Sequence, residues 1–212
     1  MSQRFYLHPV NPQPRLIQQA AARIRDGALV AYPTDSTYAL GCAIHARTAQ
    51  DRLRQIRQLD VHHDLSLLFP NISQLSEYAK VDNQAFRILK HATPGPFTFI
   101  LEATKDVPRK LADPKRKTVG MRIPAHPVCH ALLLALGEPL MSSTLELPGD
   151  AHPLTDPEDI MLRLDRQIDL LLDGGAGGME PSTVIDLTGW PPQVKRVGAG
   201  DLADLGLQEM AD

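Results

Sequence analysis

Short runs of apolar residues alternate along this chain with segments of helical spacing, and this alternation restricts its fold more than any other feature. Residues 28–32 and 65–69 are apolar at nearly every position, as expected of strands buried on both faces of a sheet. Residues 14–25 and 127–136 are expected to be helices, because each segment begins with proline and stops close to a glycine. Further helices are predicted at residues 48–57, 82–89 and 157–164, and further strands at residues 97–101, 119–123, 168–172, 183–187 and 194–197. The sequence therefore predicts an α/β fold, with one layered domain over residues 1–212 around a mixed sheet.

The composition excludes several broad classes of protein. Of the 212 residues, 43% are hydrophobic and 22% are charged, which is the balance of a globular chain and not of a disordered one. The longest apolar stretch, residues 131–136, is far shorter than the ~18 residues of a membrane span, and the first residues lack a signal-peptide pattern. Cys42 and Cys129 match no metal or redox motif, which is typical of a reducing compartment. We therefore expect a cytoplasmic protein and exclude membrane, secreted and fibrous proteins.

Charge is distributed unevenly along the chain, although the net charge is only −3. Residues 87–122 contain nine basic and three acidic side chains, whereas the segment from residue 138 to the end contains fifteen acidic and four basic ones. A basic segment inside an acidic chain predicts a surface for phosphate or nucleic acid. The alternative, which the sequence leaves open, is that these charges scatter over a solvated surface and bind nothing.

The standard nucleotide-binding and nucleophile motifs are absent from the sequence. It contains no Gly-x-x-x-x-Gly-Lys-Ser/Thr loop, no Gly-x-Gly-x-x-Gly and no Gly-x-Ser-x-Gly, so a nucleotide site has to be built in another way. His126 and His130 have the spacing of helical metal ligands, but no third ligand accompanies them, and the pair His62 and His63 is a weaker pattern still. We therefore predict no metal site.

Clusters of hydroxyl side chains stand at the ends of predicted strands. Residues 34–38 contain three hydroxyls, a carboxylate and a phenol, residues 141–144 end in Ser-Ser-Thr, and residues 181–183 read Pro-Ser-Thr. Hydroxyl and backbone N–H groups at strand ends suit phosphate, ribose or carboxylate ligands. Three arginines could add cationic forks for such an anion: Arg57, Arg122 and Arg196. Each cluster alone is typical of turn chemistry, but together they predict an anion-binding cleft and no particular reaction.

Five stretches of sequence carry a resemblance to a known family. They are Tyr-Pro-Thr-Asp-Ser-Thr-Tyr-Ala-Leu-Gly (32–41), Thr-Pro-Gly-Pro-Phe-Thr-Phe-Ile-Leu (93–101), Thr-Val-Gly-Met-Arg-Ile-Pro-Ala-His-Pro (118–127), Pro-Ser-Thr-Val-Ile-Asp (181–186) and Arg-Val-Gly (196–198). With these motifs, in this order and at this spacing over nearly the whole chain, the sequence resembles the YrdC/YciO family of threonylcarbamoyl-AMP synthases and their relatives. Within that family it is most similar to the YciO branch.

The resemblance implies both a fold and an activity. The fold would be a single α/β domain with a twisted, mixed, open sheet flanked by helices and a concave, positively charged cleft. Enzymes of the family condense L-threonine, bicarbonate and ATP, with Mg²⁺, into threonylcarbamoyl-adenylate and pyrophosphate, and the product serves threonylcarbamoyladenosine modification of tRNA. ATP is thus implied as a substrate, with no prosthetic group. Binding of double-stranded RNA or tRNA is also implied, and the basic segment would suit it. The oligomeric state is left open.

The resemblance also assigns roles to individual residues by their positions in the motifs. Five would contact the nucleotide: Thr34, Tyr38, Thr118, Thr183 and Arg196. Three would bind the threonine, with Arg122 holding its carboxylate: Ser36, Arg122 and Ser182. Three fall at the catalytic positions: Arg57, Thr144 and Glu146.

The sequence departs from the synthase pattern at three of these places. The synthases have a Lys-x-Arg pair and a Ser-x-Asn pair where this chain has Arg57-Gln-Leu59 and Thr144-Leu-Glu146, and a synthase histidine is Leu68 here. Loss of a guanidinium removes charge-assisted hydrogen bonds worth about 1.5–3 kcal/mol each. Glu146 would repel the same anions unless it is protonated or Mg²⁺ bridges them. Losses of this kind lower a rate by about 10²–10³-fold.

Three functions remain open on the sequence. We favour a nucleotide- and RNA-binding member of the family whose synthase activity is weak or redirected. The second is a competent L-threonylcarbamoyladenylate synthase in which Arg57 and Glu146 reorganise the site, with Glu146 as a magnesium ligand. The third is a non-catalytic RNA-binding factor whose cleft is only a groove for phosphate. The acidic segment after residue 138 argues against strong non-specific RNA binding unless it lies on the opposite face.

Overall fold

Helices and strands alternate along the folded chain. The computed structural model describes residues 1–59, 65–108, 111–113 and 115–207, so His62 and His63 lie outside the described residues. The helices within them are α1 (Pro14–Arg25), α2 (Arg47–Arg57), α3 (Ile72–Tyr78), α4 (Asn83–Ala92), α5 (Pro127–Leu136) and α6 (Pro157–Leu164). The strands are β1 (Gln3–Tyr6), β2 (Val30–Pro33), β3 (Tyr38–Ala43), β4 (Ser66–Leu68), β5 (Phe97–Glu102), β6 (Thr118–Arg122), β7 (Leu140–Thr144), β8 (Leu170–Asp173), β9 (Thr183–Asp186) and β10 (Gln193–Arg196).

The strands form one open, mixed sheet. Its order is β1-β8-β2-β3-β7-β4-β6-β5-β9-β10, with β1 and β10 at the two edges. The pairs β1/β8, β2/β8, β4/β6 and β5/β9 are parallel, and the other pairs are antiparallel. The expected fold class, an α/β protein with a mixed open sheet flanked by helices, is therefore confirmed.

The helices that begin with proline match the sequence prediction to the residue, whereas two strands and a short helix were not predicted. Strand β3 begins at Tyr38, directly after the hydroxyl cluster, because residues 34–37 form a tight turn between β2 and β3. The edge strand β1 has a single buried residue, Phe5, so it lacks an apolar run. Helix α3 has seven residues and is capped by the Asn71 side chain. The 3-10 turn at Ala203–Leu205 was likewise not predicted.

Each face of the sheet has its own apolar layer. On the first face, the side chains of α2, α3, α4 and α6 join those of the strands in one continuous core that includes Leu53, Leu75, Leu89, Phe99 and Ile160. Successive residues of a strand point to opposite faces, so Phe97, Phe99 and Leu101 of β5 face this core while their neighbours face the other way.

On the second face, α1 and α5 pack against each other and cover only part of the sheet. The apolar side chains beneath them define what we call the covered half: Phe5, Tyr32, Leu68, Leu140 and Leu170. The rest of the same face carries polar side chains that line an open cavity, and we call it the open half: Ser66, Thr98, Thr118, Ser142 and Thr144. In the described part of the chain, no helix is long and apolar enough to cross a membrane.

Candidate functional site

The open half of the sheet is the floor of a cavity of about 400 Å³, a volume within the usual range for small-molecule sites. Strands β4, β5, β6, β7 and β9 contribute to it, together with the end of α2 and the segments around Glu146 and Arg196. Its lining is rich in hydroxyls and guanidiniums: Arg57, Ser66, Thr98, Thr118, Arg122, Ser142, Ser143, Thr144, Ser182 and Arg196. The cavity therefore has the chemistry of an anion site.

A glycine forms part of the cavity floor. Gly120 of β6 faces the cavity, and a Cβ at this position would lie 3.0 Å from the Ser66 hydroxyl and 3.3 Å from the Thr98 methyl. A side chain here would push the neighbouring hydroxyls aside. At the border with the covered half, the buried Tyr32 hydroxyl and the Ser142 hydroxyl are 2.5 Å apart, which fixes the wall of the cavity to the core.

Arg122 projects into the cavity from the end of β6 and is held from behind. Its Nη2 donates to Asp35 Oδ1 at 2.9 Å and to the Ser36 hydroxyl at 3.0 Å. The other carboxylate oxygen of Asp35 accepts from the backbone N–H of Ala125 at 2.8 Å. The Arg122 Nε is buried and has no hydrogen-bond partner among the described residues. Since a buried donor without a partner is costly, this N–H is a natural place for an anionic ligand.

Arg196 and Ser182 form the opposite wall. The Arg196 guanidinium donates to the Ser182 carbonyl from Nη2 at 2.8 Å and from Nε at 3.2 Å, and the Ser182 and Thr98 hydroxyls are 2.7 Å apart. Burial lowers the pKa of Arg196 from its ordinary value, the nearby positive charge of Arg122 lowers this pKa further, and the Glu146 carboxylate opposes the shift. Two guanidiniums that repel each other in this way favour an anion between them.

Arg57 and Glu146 lie next to each other in the cavity lining. The Arg57 Nη2 is 3.6 Å from Glu146 Oε2, and its Nε donates to the Ser143 hydroxyl at 3.4 Å. The Arg57 side chain is 12% exposed and that of Glu146 is 44% exposed. Burial lowers the pKa of Arg57, and the Glu146 carboxylate opposes that shift. Glu146 is the one acidic side chain among the described residues of the lining.

The structure brings most of the residues assigned by the resemblance into this cavity. Seven of them line it directly: Arg57, Thr118, Arg122, Thr144, Glu146, Ser182 and Arg196. Ser36 lies behind Arg122 and supports it. These residues come from six separate segments of the chain, so only the folded sheet places them together.

Three of the residues assigned to nucleotide binding do not line the cavity and bond within the protein. The Thr34 hydroxyl donates to the Thr37 carbonyl at 2.7 Å and closes the β2–β3 turn. The Tyr38 hydroxyl donates to the Gly175 carbonyl at 2.7 Å. The Thr183 hydroxyl donates to the Gly200 carbonyl at 2.7 Å. All three side chains are buried, so their visible role is to hold the segments that border the site.

Several residues of the site were not singled out from the sequence. Ser66, Thr98 and Gly120 stand on the cavity floor, and Asp35 holds Arg122. Thr98 carries a weak sequence signal, because it is polar and stands between the apolar Phe97 and Phe99 of β5, and successive strand residues point to opposite faces. Asp35 gave no such signal, since its partner lies 87 residues away.

The two histidines four residues apart do not form part of this site. The His126 Nδ1 accepts a hydrogen bond from the backbone N–H of Val128 at 3.2 Å and caps α5. Burial lowers the His126 pKa from its ordinary value of 6.5. No group of three or more His, Cys, Asp or Glu side chains able to hold a metal ion occurs in the described residues.

Comparison with known proteins agrees with the geometry. A family model for Sua5, YciO and YrdC, described as "Telomere recombination", matches residues 22–198. The chain is 53% identical to the YciO protein of Escherichia coli K12 over 202 residues, which cover 95% of this chain and 98% of the relative. The E. coli YciO crystal structure superimposes with a TM-score of 0.92, covering 96% of this chain and 99% of that chain.

Related synthases match at lower identity. The chain is 33% identical to the threonylcarbamoyl-AMP synthase of Vibrio cholerae serotype O1, over 80% of this chain and 92% of the relative. The crystal structure of Pyrococcus abyssi Sua5 complexed with L-threonine is 28% identical with a TM-score of 0.87, and it covers 96% of this chain and 60% of the longer Sua5 chain. The resemblance seen in the sequence motifs is thereby confirmed: the chain belongs to the Sua5/YciO/YrdC family, which is related to threonylcarbamoyl-AMP synthases.

Proposed function

We propose that this protein is a YciO-type member of the family, cytoplasmic and folded as one domain over residues 1–212, that binds a nucleotide and RNA in its positive cleft and whose synthase activity is weak or redirected. The observation that carries this proposal is the ion pair of Arg57 and Glu146 at 3.6 Å in the cavity lining. At the positions of the synthases' Lys-x-Arg and Ser-x-Asn pairs, this chain has one cation, Arg57. The carboxylate of Glu146 is paired with it.

Nucleotide binding is supported by the chemistry of the other walls. The Arg122 Nε is buried without a partner among the described residues. Burial and the positive charge of Arg122 together lower the pKa of Arg196. We assign Arg122, Ser36 and Ser182 to a carboxylate-bearing substrate. We assign Thr118 and Arg196 to the nucleotide itself, and Thr34, Tyr38 and Thr183, whose hydroxyls bond within the protein, to the segments that border the nucleotide.

Weak synthesis is supported by the surroundings of the altered positions. Leu59 packs at the edge of the first apolar core, so this position supplies no charge to the cavity. Leu68 is fully buried in the covered half, so no side chain acts there as a proton carrier. Glu146 faces Arg57, and Thr144 offers a hydroxyl beside them. A site with one paired cation in place of two free ones stabilises developing phosphate charge less well.

A competent synthase is the second candidate, and one observation favours it. Glu146 is 44% exposed and lines the cavity, so its carboxylate has an oxygen to offer to Mg²⁺, a cation that prefers oxygen ligands and accompanies substrate phosphates. In that case ATP with Mg²⁺ would bind as the substrate, and Glu146→Asn would abolish turnover.

RNA binding is supported by a basic run at the edge of the site. Lys115, Arg116 and Lys117 are exposed and lead directly into Thr118, which lines the cavity. Three adjacent cations there suit the phosphate backbone of a tRNA or a double-stranded RNA. If the protein were only an RNA-binding factor, its RNA affinity would fall steeply with salt and would not respond to threonine.

The direct test is calorimetric titration with ATP and Mg²⁺, with and without L-threonine and bicarbonate, while pyrophosphate release is followed in the same samples. We expect ATP to bind with little dependence on threonine and to release pyrophosphate slowly. Tight, threonine-dependent binding with fast release would establish the competent synthase instead. Absence of ATP binding would overturn the nucleotide proposal and leave RNA as the ligand to titrate next.

A further inference from the structure

The fixed charges around the cavity nearly cancel one another. Three guanidiniums face it: Arg57, Arg122 and Arg196. Two of them are paired with carboxylates, Arg122 with Asp35 at 2.9 Å and Arg57 with Glu146 at 3.6 Å. Among the described residues, Arg196 donates only to the carbonyl and hydroxyl of Ser182, which are neutral. The cavity therefore offers about one uncompensated positive charge to a ligand.

The two ion pairs differ in how firmly they are made. Arg122 and Asp35 are both nearly buried, at 7% and 10% exposure, and the second oxygen of Asp35 is held by the Ala125 N–H. The Arg57–Glu146 pair is longer than a normal hydrogen bond, and Glu146 is the more exposed partner. A ligand can compete with Glu146 for Arg57, whereas it cannot displace Asp35 without opening a buried charge pair.

The charge balance favours ligands with few negative charges. A single terminal phosphate carries about 1.5 to 2 negative charges at pH 7, which Arg196 and the free Arg122 Nε can accommodate. Each further phosphate adds charge, and within the described lining of the cavity only Arg57 is left to meet it. A phosphate that binds Arg57 displaces Glu146. The Glu146 carboxylate then lies next to the phosphates and repels them.

We infer that Glu146 is a specificity-determining residue that makes this cavity prefer a nucleoside monophosphate, or an ester of its phosphate, over a nucleoside triphosphate. The inference rests on the proposed function, because it requires a nucleotide to bind in this cavity. It narrows the substrate class to ligands at the monophosphate level. A redirected activity would then act on an adenylate and not on ATP.

The test compares AMP and ATP by calorimetric titration in the presence of a metal chelator, so that charge is the variable. The proteins are the wild type, Glu146→Gln, which removes one charge and keeps the size, and Glu77→Gln as the matched control. Glu77 is exposed on α3, which packs on the opposite face of the sheet. Thermal unfolding of each variant verifies its fold, and we expect at most a small loss of stability, because Glu146 is 44% exposed and its contact with Arg57 is long, at 3.6 Å.

We expect wild type and Glu77→Gln to bind AMP at least as tightly as ATP. In Glu146→Gln, ATP binding should tighten about tenfold, the effect of one nearby unit charge, whereas AMP binding should change by less than about twofold. Equal changes for both nucleotides, or no change in either, would overturn the inference while leaving nucleotide binding intact.

A second titration, with Mg²⁺ in place of the chelator, separates the remaining outcomes. If the wild type binds ATP with Mg²⁺ more tightly than AMP and Glu146→Gln loses that binding, then Glu146 is a magnesium ligand and the inference is wrong. If neither nucleotide binds any of the three proteins with or without Mg²⁺, the proposed function fails and the inference fails with it.

Discussion

Strand β7 crosses both halves of the same sheet face, and its side chains change character at the border. Leu140 is fully buried in the covered half beneath α5, whereas Ser142 and Thr144, two and four residues later on the same face, line the cavity. Strand β4 shows the same change between Leu68 and Ser66. The backbone of the sheet is continuous across this border, so the difference lies in what covers each half.

This difference explains where the site lies. A sheet face beneath helices is stabilised by apolar packing, and polar groups there would lose water without gaining partners. A face without helices can carry hydroxyls and guanidiniums that remain available to a ligand. In this protein, the hydroxyl and guanidinium side chains suited to an anion lie beyond the part of the sheet that α1 and α5 cover.

The largest expected effect is a loss of stability when the apolar packing of the covered half is disrupted. Leu140→Ala removes a fully buried side chain and should lower the free energy of unfolding by about 2–5 kcal/mol, because a cavity remains. Thr144→Ala, on the same face of the same strand, should change it by less than about 0.5 kcal/mol. Urea denaturation of both variants measures the contrast, and similar losses in the two would contradict the division of the face.

The next largest effect concerns the buried ion pair of Asp35 and Arg122, which holds Arg122 in the open half. Asp35→Asn weakens the buried contact with Arg122 and leaves that guanidinium without a countercharge, so we expect a loss of about 1–3 kcal/mol in the free energy of unfolding. Asp51→Asn, a change at an exposed position on α2, serves as the control. Chemical denaturation at neutral pH tests this, and an unchanged Asp35→Asn would show that the ion pair contributes nothing to stability.

A smaller loss of stability is expected at the border between the halves, where the Tyr32 and Ser142 hydroxyls are 2.5 Å apart. Tyr32→Phe removes one hydroxyl of this buried pair and should cost about 1 kcal/mol, the usual net value of such a hydrogen bond. The ring that fills the covered half stays in place. If the measured loss approached that of Leu140→Ala, the hydroxyl would have to be essential to the packing of the ring.

The smallest effect is a pH dependence at the cap of α5. Burial lowers the His126 pKa below its ordinary value of 6.5, and its Nδ1 must be unprotonated to accept from Val128. Above about pH 7.5 the histidine is almost entirely neutral in both folded and unfolded chains and contributes no pH dependence. Below that pH the unfolded chain takes up the proton first, so stability should fall as pH decreases.

His126→Asn isolates this contribution, because asparagine is a good helix cap and does not titrate. The difference in unfolding free energy between wild type and variant should be constant above about pH 7.5 and should shrink, or turn in favour of the variant, as pH decreases from there toward about 5.5. A difference that stays constant throughout would show that His126 is equally basic in the folded and unfolded chains.

The sequence predicted the covered half better than the open half. Helices α1 and α5, which cover it, begin with proline and contribute apolar side chains to its core, and such local signals are readable without the fold. The cavity depends on register instead: Ser66 lies opposite both Gly120 and Ser142 only because β4 pairs with β6 and β7. No local pattern contains that pairing.

The structure places in the cavity all three arginines that the motifs singled out, but not every hydroxyl. Arg57, Arg122 and Arg196 are long side chains that reach the cavity from three segments. The Thr34, Tyr38 and Thr183 hydroxyls are instead used by nearby backbone groups. A sequence motif shows that a hydroxyl is present, but its hydrogen-bond partner can lie in the same turn, as for Thr34, or in a segment that only the fold brings near, as for Tyr38.

The most direct test of the account is whether the open half holds the ligand. Calorimetric titration with AMP would compare Arg196→Gln with Arg15→Gln, a change on the exposed side of α1 over the covered half. Loss of a charge-assisted contact should weaken AMP binding to Arg196→Gln by about tenfold to a hundredfold, with wild-type affinity in Arg15→Gln. Equal affinity in wild type and both variants would contradict the central claim that the cavity on the open half binds the nucleotide.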